Sequence, residues 1–298
     1  MRKILITGGT GLIGNALTPK LIQAGYEPVI LSRQNRKAPH FLLWDGREIP
    51  PSLSGEGFVA AINLVGASIA NQRWSEAYKR ELWESRIEPT KSLVRWLHAH
   101  APSARLISAS AVGFYGSSLS QERLTESSPA GSDFLAGLAQ AWESAAQAAP
   151  VPPVIFRLGV VLSREGGAFP QLLRGFRLGV GTYFSPGVQG FSWIHIEDVV
   201  RAIIWSLEQP EKHGIYNLTA PEPISAKELA QAILKRKKGA LLLPIPEVVA
   251  HVALGELATT LTKGNYVLPR RLQAEGFSFT YPTIDAALSE LLPSPHGR

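Results

Sequence analysis

The alternation of apolar and polar positions along the first two dozen residues predicts strand, tight loop and helix. Lys3-Ile-Leu-Ile-Thr7 is an apolar, β-branched run that stops at Gly8-Gly-Thr-Gly11-Leu-Ile-Gly14. Leu12, Ala16, Leu17, Leu21 and Ile22 then recur at helical spacing. Further along, Pro28–Ser32, Phe41–Trp44, Phe58–Val65, Arg105–Ser110 and Val154–Leu158 are short apolar runs that read as strands. Phe58–Val65 is apolar on both faces, as a parallel strand covered by helices must be. Between the strands, Ser75–His100 reads as a long helix that Pro89 should kink or interrupt, and Ser132–Ala149 as another helix. This alternation predicts an α/β fold with a doubly wound parallel sheet and right-handed crossovers.

Beyond residue 160 the rhythm loosens. Glycines and prolines from Gly166 to Gly190 predict a loop-rich stretch. Phe191–Ile196 reads as one short strand running into the helix Glu197–Glu208, and Tyr216–Leu218 as another strand. Ser225 followed by Glu228 forms a capping box at a helix start. The remainder to Leu292 reads as helix-rich, broken by Pro244, Pro246, Pro269 and Pro282, and Ser294–Arg298 as a frayed tail. The expected division is a dinucleotide-binding core over 1–165, with returns near 191–220. Residues 166–298 then form mainly a smaller, mostly helical substrate-side domain.

The three glycines at GxxGxxG spacing each have a mechanical reason. Gly8 takes a turn closed to residues with a Cβ, Gly11 lets the main chain approach a pyrophosphate, and Gly14 lets the helix pack close to the strand. The helix then aims its free N–H groups and positive dipole end at whatever lies over the loop, which suits a phosphate. The candidate set is Gly8, Thr10, Gly11, Leu12, Ile13 and Gly14; the alternative is a merely tight strand-to-helix turn. At the end of the second strand stand Ser32 and Arg33, with Arg36 and Lys37 following and no acid from Pro28 to Leu43. A carboxylate there would bind the 2′-hydroxyl of NAD, whereas a guanidinium with a hydroxyl beside it holds the 2′-phosphate of NADP. NADP(H) is therefore the expected cofactor, the alternative being that Arg33 is an ordinary loop cation.

Composition narrows the picture further. With 45% apolar and 18% charged residues the chain has an ordinary globular balance. No apolar run reaches the roughly 18 residues of a membrane helix, and the N-terminal run is too short for a signal peptide. No membrane contact and a cytoplasmic location are expected. Zero cysteines exclude disulfides and thiolate chemistry. His98 and His100 are too close in sequence to share a helix face, so no metal site is expected. The net charge of +6 has its densest cluster at Lys235-Arg-Lys-Lys238, where cations suit a helix C-terminus, so nucleic acid is not expected either.

The ordered signatures carry a resemblance. They include Thr7–Gly14, Asn63-Leu-Val-Gly66, Arg73-Trp74, Ser85-Arg86-Ile87 with Thr90, and Ser108–Gly113 with Tyr115-Gly116. Asp133–Ala136, Trp142-Glu143, Arg157–Leu162, Ser192–His195 with Asp198, Asn217, Ala220-Pro221, Gly255-Glu256 and Gly276-Phe277 continue the series to the C-terminal part. The sequence resembles an atypical extended short-chain dehydrogenase/reductase. More narrowly, it is similar to the epimerase-family branch, NAD-dependent epimerase/dehydratase-like, whose members carry a C-terminal domain of unknown function. The resemblance implies NADP(H) in a cleft at the sheet's carboxyl edge and adds Leu64, Val65, Gly66, Glu81, Arg86 and Val160 to the cofactor set. It also implies an oxidoreductase or epimerase on a small-molecule substrate, and a homodimer through the long helices.

Active members of that superfamily use a Ser or Thr to polarise the substrate oxygen, a Tyr to move the proton, and a Lys four residues later to lower the Tyr pKa. Ser110 fits the first role. Where the Tyr and Lys belong stand Phe134 and Leu138, without hydroxyl or charge. Tyr115, His195, Glu143 and Asp133 are the remaining candidates for the proton. Tyr115 reads as an acid/base or a pocket residue, His195 as a core histidine or a catalyst, and Glu143 with Trp142 as helix packing and an internal hydrogen bond. The alternative to an enzyme is an NADP(H)-binding regulatory or interaction protein that has lost catalysis.

Overall fold

The computed structural model describes residues 2–292 apart from 37, 39, 51, 178 and 237–240. Lys37, Lys237, Lys238 and the tail Ser294–Arg298 lie outside the described residues. The chain divides into two compact units, Met1–Ala111 with Gly137–Arg157 and Val200–Tyr216, and Val112–Ala136 with Leu158–Val199 and Asn217–Arg298.

The first unit is built on β1 (Arg2–Thr7), β2 (Tyr26–Ser32), β3 (Phe41–Leu43), β4 (Phe58–Asn63) and β5 (Arg105–Ala111). These pair in parallel, and the full seven-stranded sheet runs β3-β2-β1-β4-β5, then Val154–Leu158, then Gly214–Leu218. The order reverses between β1 and β4, so their carboxyl ends part at a crevice where open α/β sheets bind ligands. Ile4, Leu5 and Ile6 are completely buried, as a central strand covered on both faces requires. Helices α1 (Leu12–Gln23), α2 (Glu76–His100) and α3 (Phe134–Gln147) accompany the sheet. Leu5, Leu31, Trp44, Ala61, Leu93, Leu97, Leu106 and Ile155 form its core.

Of the kink or interruption expected at Pro89, the interruption is corrected: helix α2 runs through it as one element. A mid-helix proline costs about 3 kcal/mol through one lost hydrogen bond and a clash. Leu82, Leu93 and Leu97 on the same helix are completely buried, each contributing about 1.5–3 kcal/mol. Packing outweighs the defect.

The second unit has its own core of Leu162, Phe169, Leu173, Phe176, Trp193, Leu229, Ile233 and Leu288. Three sequence expectations change here. The stretch expected as loop contains the helix Ala168–Arg177 and the strand Val180–Phe184. The remainder expected as helix-rich also holds the strand Leu241–Ile245, which pairs in parallel with Val180–Phe184. The single strand expected over Phe191–Ile196 is two. Gly190–Phe191 pairs with Ile224–Ser225 and Trp193–His195 with Val160–Leu162, and the Ser192 hydroxyl between them accepts from Val267 N and donates to Asn265 O. The expected capping box is present: Ser225 N donates to Glu228 at 2.7 Å, and Glu228 N to the Ser225 hydroxyl at 3.1 Å.

Candidate functional site

The glycine loop sits at the crevice. Thr7, the last residue of β1, is in register with Leu31 of β2 and Asn63 of β4. Gly8 follows with φ +72°, and a Cβ on it would stand 2.5 Å from the Leu64 carbonyl and 2.8 Å from Val65 N. Only glycine permits both that backbone and that approach. Gly14 has the same constraint from another side: its Cβ would fall 2.4 Å from the Gly9 main chain, so the helix closes against the loop itself rather than against the strand. Gly11 differs, since a Cβ there would meet only the Gly8 carbonyl, at 3.3 Å.

Gly11 caps α1 with extended backbone and no side-chain hydrogen bond, and the first turn holds no acid. The Asn15 side chain donates to the Thr10 carbonyl at 3.1 Å. The amides of Leu12, Ile13 and Gly14 belong to the first turn, whose N–H groups lack intrahelical acceptors. Pyrophosphate oxygens match that donor set, so the residues present fit the dinucleotide that the motif implies.

Ser32 ends β2, one residue past the register partner of Thr7. Its buried hydroxyl donates to the Gln34 carbonyl at 3.0 Å and accepts from Gln34 N, shaping the turn that presents exposed Arg33. Arg36 is exposed and stacks over the Phe41 ring at 5.4 Å.

After β4 the chain runs past the loop as Leu64-Val65-Gly66-Ala67, with Leu64 N donating to the Thr7 carbonyl at 3.0 Å. Arg86 of α2 holds this segment, donating to the Ala67 carbonyl at 2.9 Å and to Leu82 O at 3.0 Å. Its guanidinium lies 5.3 Å from the centre of the Trp142 ring, and burial pushes its pKa down to about 10, which still leaves it cationic at neutral pH. Glu81 is exposed on α2, five residues earlier. Val160 belongs to the second unit, in the ladder with Trp193.

Beneath the strand ends lies a buried polar network. Thr7 Oγ1 donates to Asn63 Oδ1 at 2.7 Å, and Asn63 Nδ2 donates to Thr90 Oγ1 at 2.8 Å and Ser108 Oγ at 3.1 Å. Trp142 Nε1 donates to the same Thr90 oxygen, and Thr90 to the Arg86 carbonyl. Thr7, Asn63, Thr90 and Ser108 are all completely buried, so β1, β4, β5, α2 and α3 are fixed to one another just below the crevice. Sequence reasoning assigned Asn63 no role; its signal is an amide at the end of an otherwise apolar strand.

Ser110 lies near the carboxyl end of β5, almost wholly buried, and donates its proton to Glu143 Oε1 at 2.7 Å. Arg157 grips the same carboxylate through Nε at 2.7 Å and an Nη at 2.8 Å. Glu143 thus serves an internal ion pair, and Trp142 an internal hydrogen bond.

In the second unit, Tyr115 is buried and its hydroxyl lies 2.7 Å from Asn217 Oδ1 and 2.9 Å from the Thr125 carbonyl. Asp133 accepts from Ala136 N. His195 is buried with both ring nitrogens occupied: Nδ1 accepts from Glu197 N at 3.2 Å, which makes Nε2 the proton-bearing nitrogen facing Glu290 at 3.1 Å. It is a satisfied core histidine. Leu138, in the position of the superfamily's lysine, is buried. Among the described residues no three His, Asp or Glu side chains gather as a metal ion would require, and no helix is long and apolar enough to cross a membrane.

Comparison with known proteins shows the family and the fold. The model of the NAD dependent epimerase/dehydratase family matches residues 4–219, and that of a domain of unknown function, DUF1731, matches 245–291. The epimerase family protein YfhF of Bacillus subtilis is 35% identical over 297 residues, covering 97% of each chain. The epimerase family protein SDR39U1 of Homo sapiens is 35% identical over 300 residues, covering 97% of this chain and 99% of the human one. The crystal structure of human SDR39U1 (isoform2) with NADPH superposes with a TM-score of 0.89 at 34% identity, over 97% of this chain and 99% of that one.

Proposed function

The chain belongs to the NAD-dependent epimerase/dehydratase family, and from that premise we propose that it binds NADP(H) at the carboxyl ends of β1, β2 and β4. The observation that carries this is the uncapped start of α1 over the Gly8–Gly14 loop, at the point where the strand order reverses. Gly8, Thr10, Gly11, Leu12, Ile13 and Gly14 hold the pyrophosphate, and Arg33, on the turn tied by Ser32, holds the 2′-phosphate. Leu64, Val65 and Gly66 line the crevice past Gly8, with Arg86 keeping them in place. Glu81 and Val160 complete the set by resemblance. The NADPH in the human relative's crystal structure supports the same choice of cofactor.

Bound there, the nicotinamide supplies or accepts a hydride. The chain's own contribution to proton transfer is the weak point. Phe134 and Leu138 replace the usual Tyr and Lys, and the hydroxyl protons of Ser110 and Tyr115 point at protein acceptors. The best-supported function is therefore NADP(H) binding, in a regulatory or interaction protein without the superfamily's proton relay. The second reading is an oxidoreductase or epimerase on an unidentified small molecule, favoured by the intact glycine loop. In either case residues 1–165, with returns near 191–220, form the cofactor-binding part, and 166–298 mainly the substrate-side part. By resemblance, the assembly we propose is a homodimer through the long helices.

Substrate-dependent NADPH oxidation across a panel of carbonyl compounds and sugar nucleotides separates the two. No turnover is expected from the first reading, and turnover with any member establishes the second. Arg33→Glu is expected to weaken NADPH far more than NADH; equal losses would sink the 2′-phosphate assignment.

A further inference from the structure

The turn after β3 is held by hydrogen bonds to β2, to its own backbone and to α2, and nothing in the proposed function uses it. Trp44 N donates to the Ser32 carbonyl at 2.8 Å, which ties the end of β3 to the end of β2. Asp45 Oδ1 accepts from Arg47 N at 2.7 Å and Glu48 N at 3.1 Å, closing a turn around Gly46. Glu48 is moored to α2 by the Ser92 hydroxyl at 3.2 Å and by Arg95, and Ile49 N donates to Ser92 at 3.0 Å.

Gly46 has φ +90°, and what lies above it is the stem of Arg33. A Cβ at this position would stand 3.3 Å from Arg33 Cδ and 3.7 Å from Cγ, with no other described atom within 4 Å beyond its chain neighbours. The methylenes of Arg33 therefore rest on bare backbone. An exposed arginine on an open turn samples many rotamers, and ordering it weakens any bond its guanidinium makes to a ligand. A rigid shelf beneath the stem reduces that loss.

The geometry points to Gly46 as a specificity-determining position: its missing side chain lets the Arg33 stem rest against the backbone there, which aims the guanidinium at the 2′-phosphate of NADP(H). The inference rests on the Arg33 assignment above. It makes discrimination between NADPH and NADH depend on the turn after β3 as well as on β2.

The test is a double-mutant cycle on the full chain, with NADPH and NADH dissociation constants as the readout. Gly46→Asn keeps a residue that tolerates the left-handed backbone while adding a Cβ, and Gly46→Val adds bulk. Both are expected to weaken NADPH about two- to tenfold, the cost of ordering one long side chain, and to leave NADH unchanged. With Arg33→Ala in place, the Gly46 substitutions should change neither constant further. An unchanged NADPH constant in Gly46→Asn overturns the inference, as do equal losses for both nucleotides or an effect that persists without Arg33. Failure of the underlying assignment has its own signature: Arg33→Ala would leave the preference for NADPH intact.

Discussion

Ser110 donates its only hydroxyl proton to Glu143, at 2.7 Å and out of reach of solvent. In the superfamily that this chain resembles, the equivalent serine turns its proton toward a substrate oxygen. Here the carboxylate that receives it is also clamped by Arg157, so the serine completes a buried ion pair. Glu143→Ala is expected to destabilise the fold by about 3–5 kcal/mol, because it strands the Arg157 charge. Ser110→Ala should cost about 1.5–3 kcal/mol, since the pair survives it. Urea unfolding midpoints measure both, and a Ser110→Ala cost equal to that of Glu143→Ala would contradict this ranking.

Gly11 and Gly14 separate ligand contact from packing. A Cβ on Gly14 runs into the Gly9 backbone, whereas one on Gly11 meets only the Gly8 carbonyl at 3.3 Å. Gly14→Ala is expected to cost about 1–3 kcal/mol of stability through overpacking. Gly11→Ala should fold with a loss of no more than about 1 kcal/mol, the difference between glycine and alanine as a cap, and still bind NADPH at least about tenfold more weakly. Thermal melts beside nucleotide titrations distinguish the two, and unaltered binding by Gly11→Ala would remove Gly11 from the site.

The dinucleotide half of this account was legible in the sequence because its signals are local. The apolar run, the glycine spacing and the basic residue at the end of β2 all fall within about thirty residues. The capping box at Ser225 was legible for the same reason. The unread parts depend on partners distant in sequence. Leu241–Ile245 forms a strand only because Val180–Phe184 lies beside it, and its triple leucine has no period of its own. The helix Ala168–Arg177 did carry a signal, Phe169, Leu172, Leu173 and Phe176 at helical spacing, hidden between glycine pairs. The Gly46 shelf under Arg33 joins the turns that follow two different strands, and spacing within one turn cannot reveal it.

Asn63 joins Thr7, Thr90 and Ser108 in the network beneath the crevice. Asn63→Leu leaves those buried hydroxyls without their amide partner, and each orphaned group costs about 1–3 kcal/mol. A loss of several kcal/mol is expected, together with weaker NADPH binding as the ends of β1 and β4 lose their tie. A stability change below about 1 kcal/mol in urea unfolding would show that the network is dispensable.

Titration of the protein with NADPH and then NADH, following quenching of its seven tryptophans, tests the central claim most directly. Saturable binding of NADPH with much weaker binding of NADH is the predicted result. If neither nucleotide binds, the glycine loop is scaffold alone; if both bind equally, Arg33 does not read the 2′-phosphate. Either outcome would contradict the account.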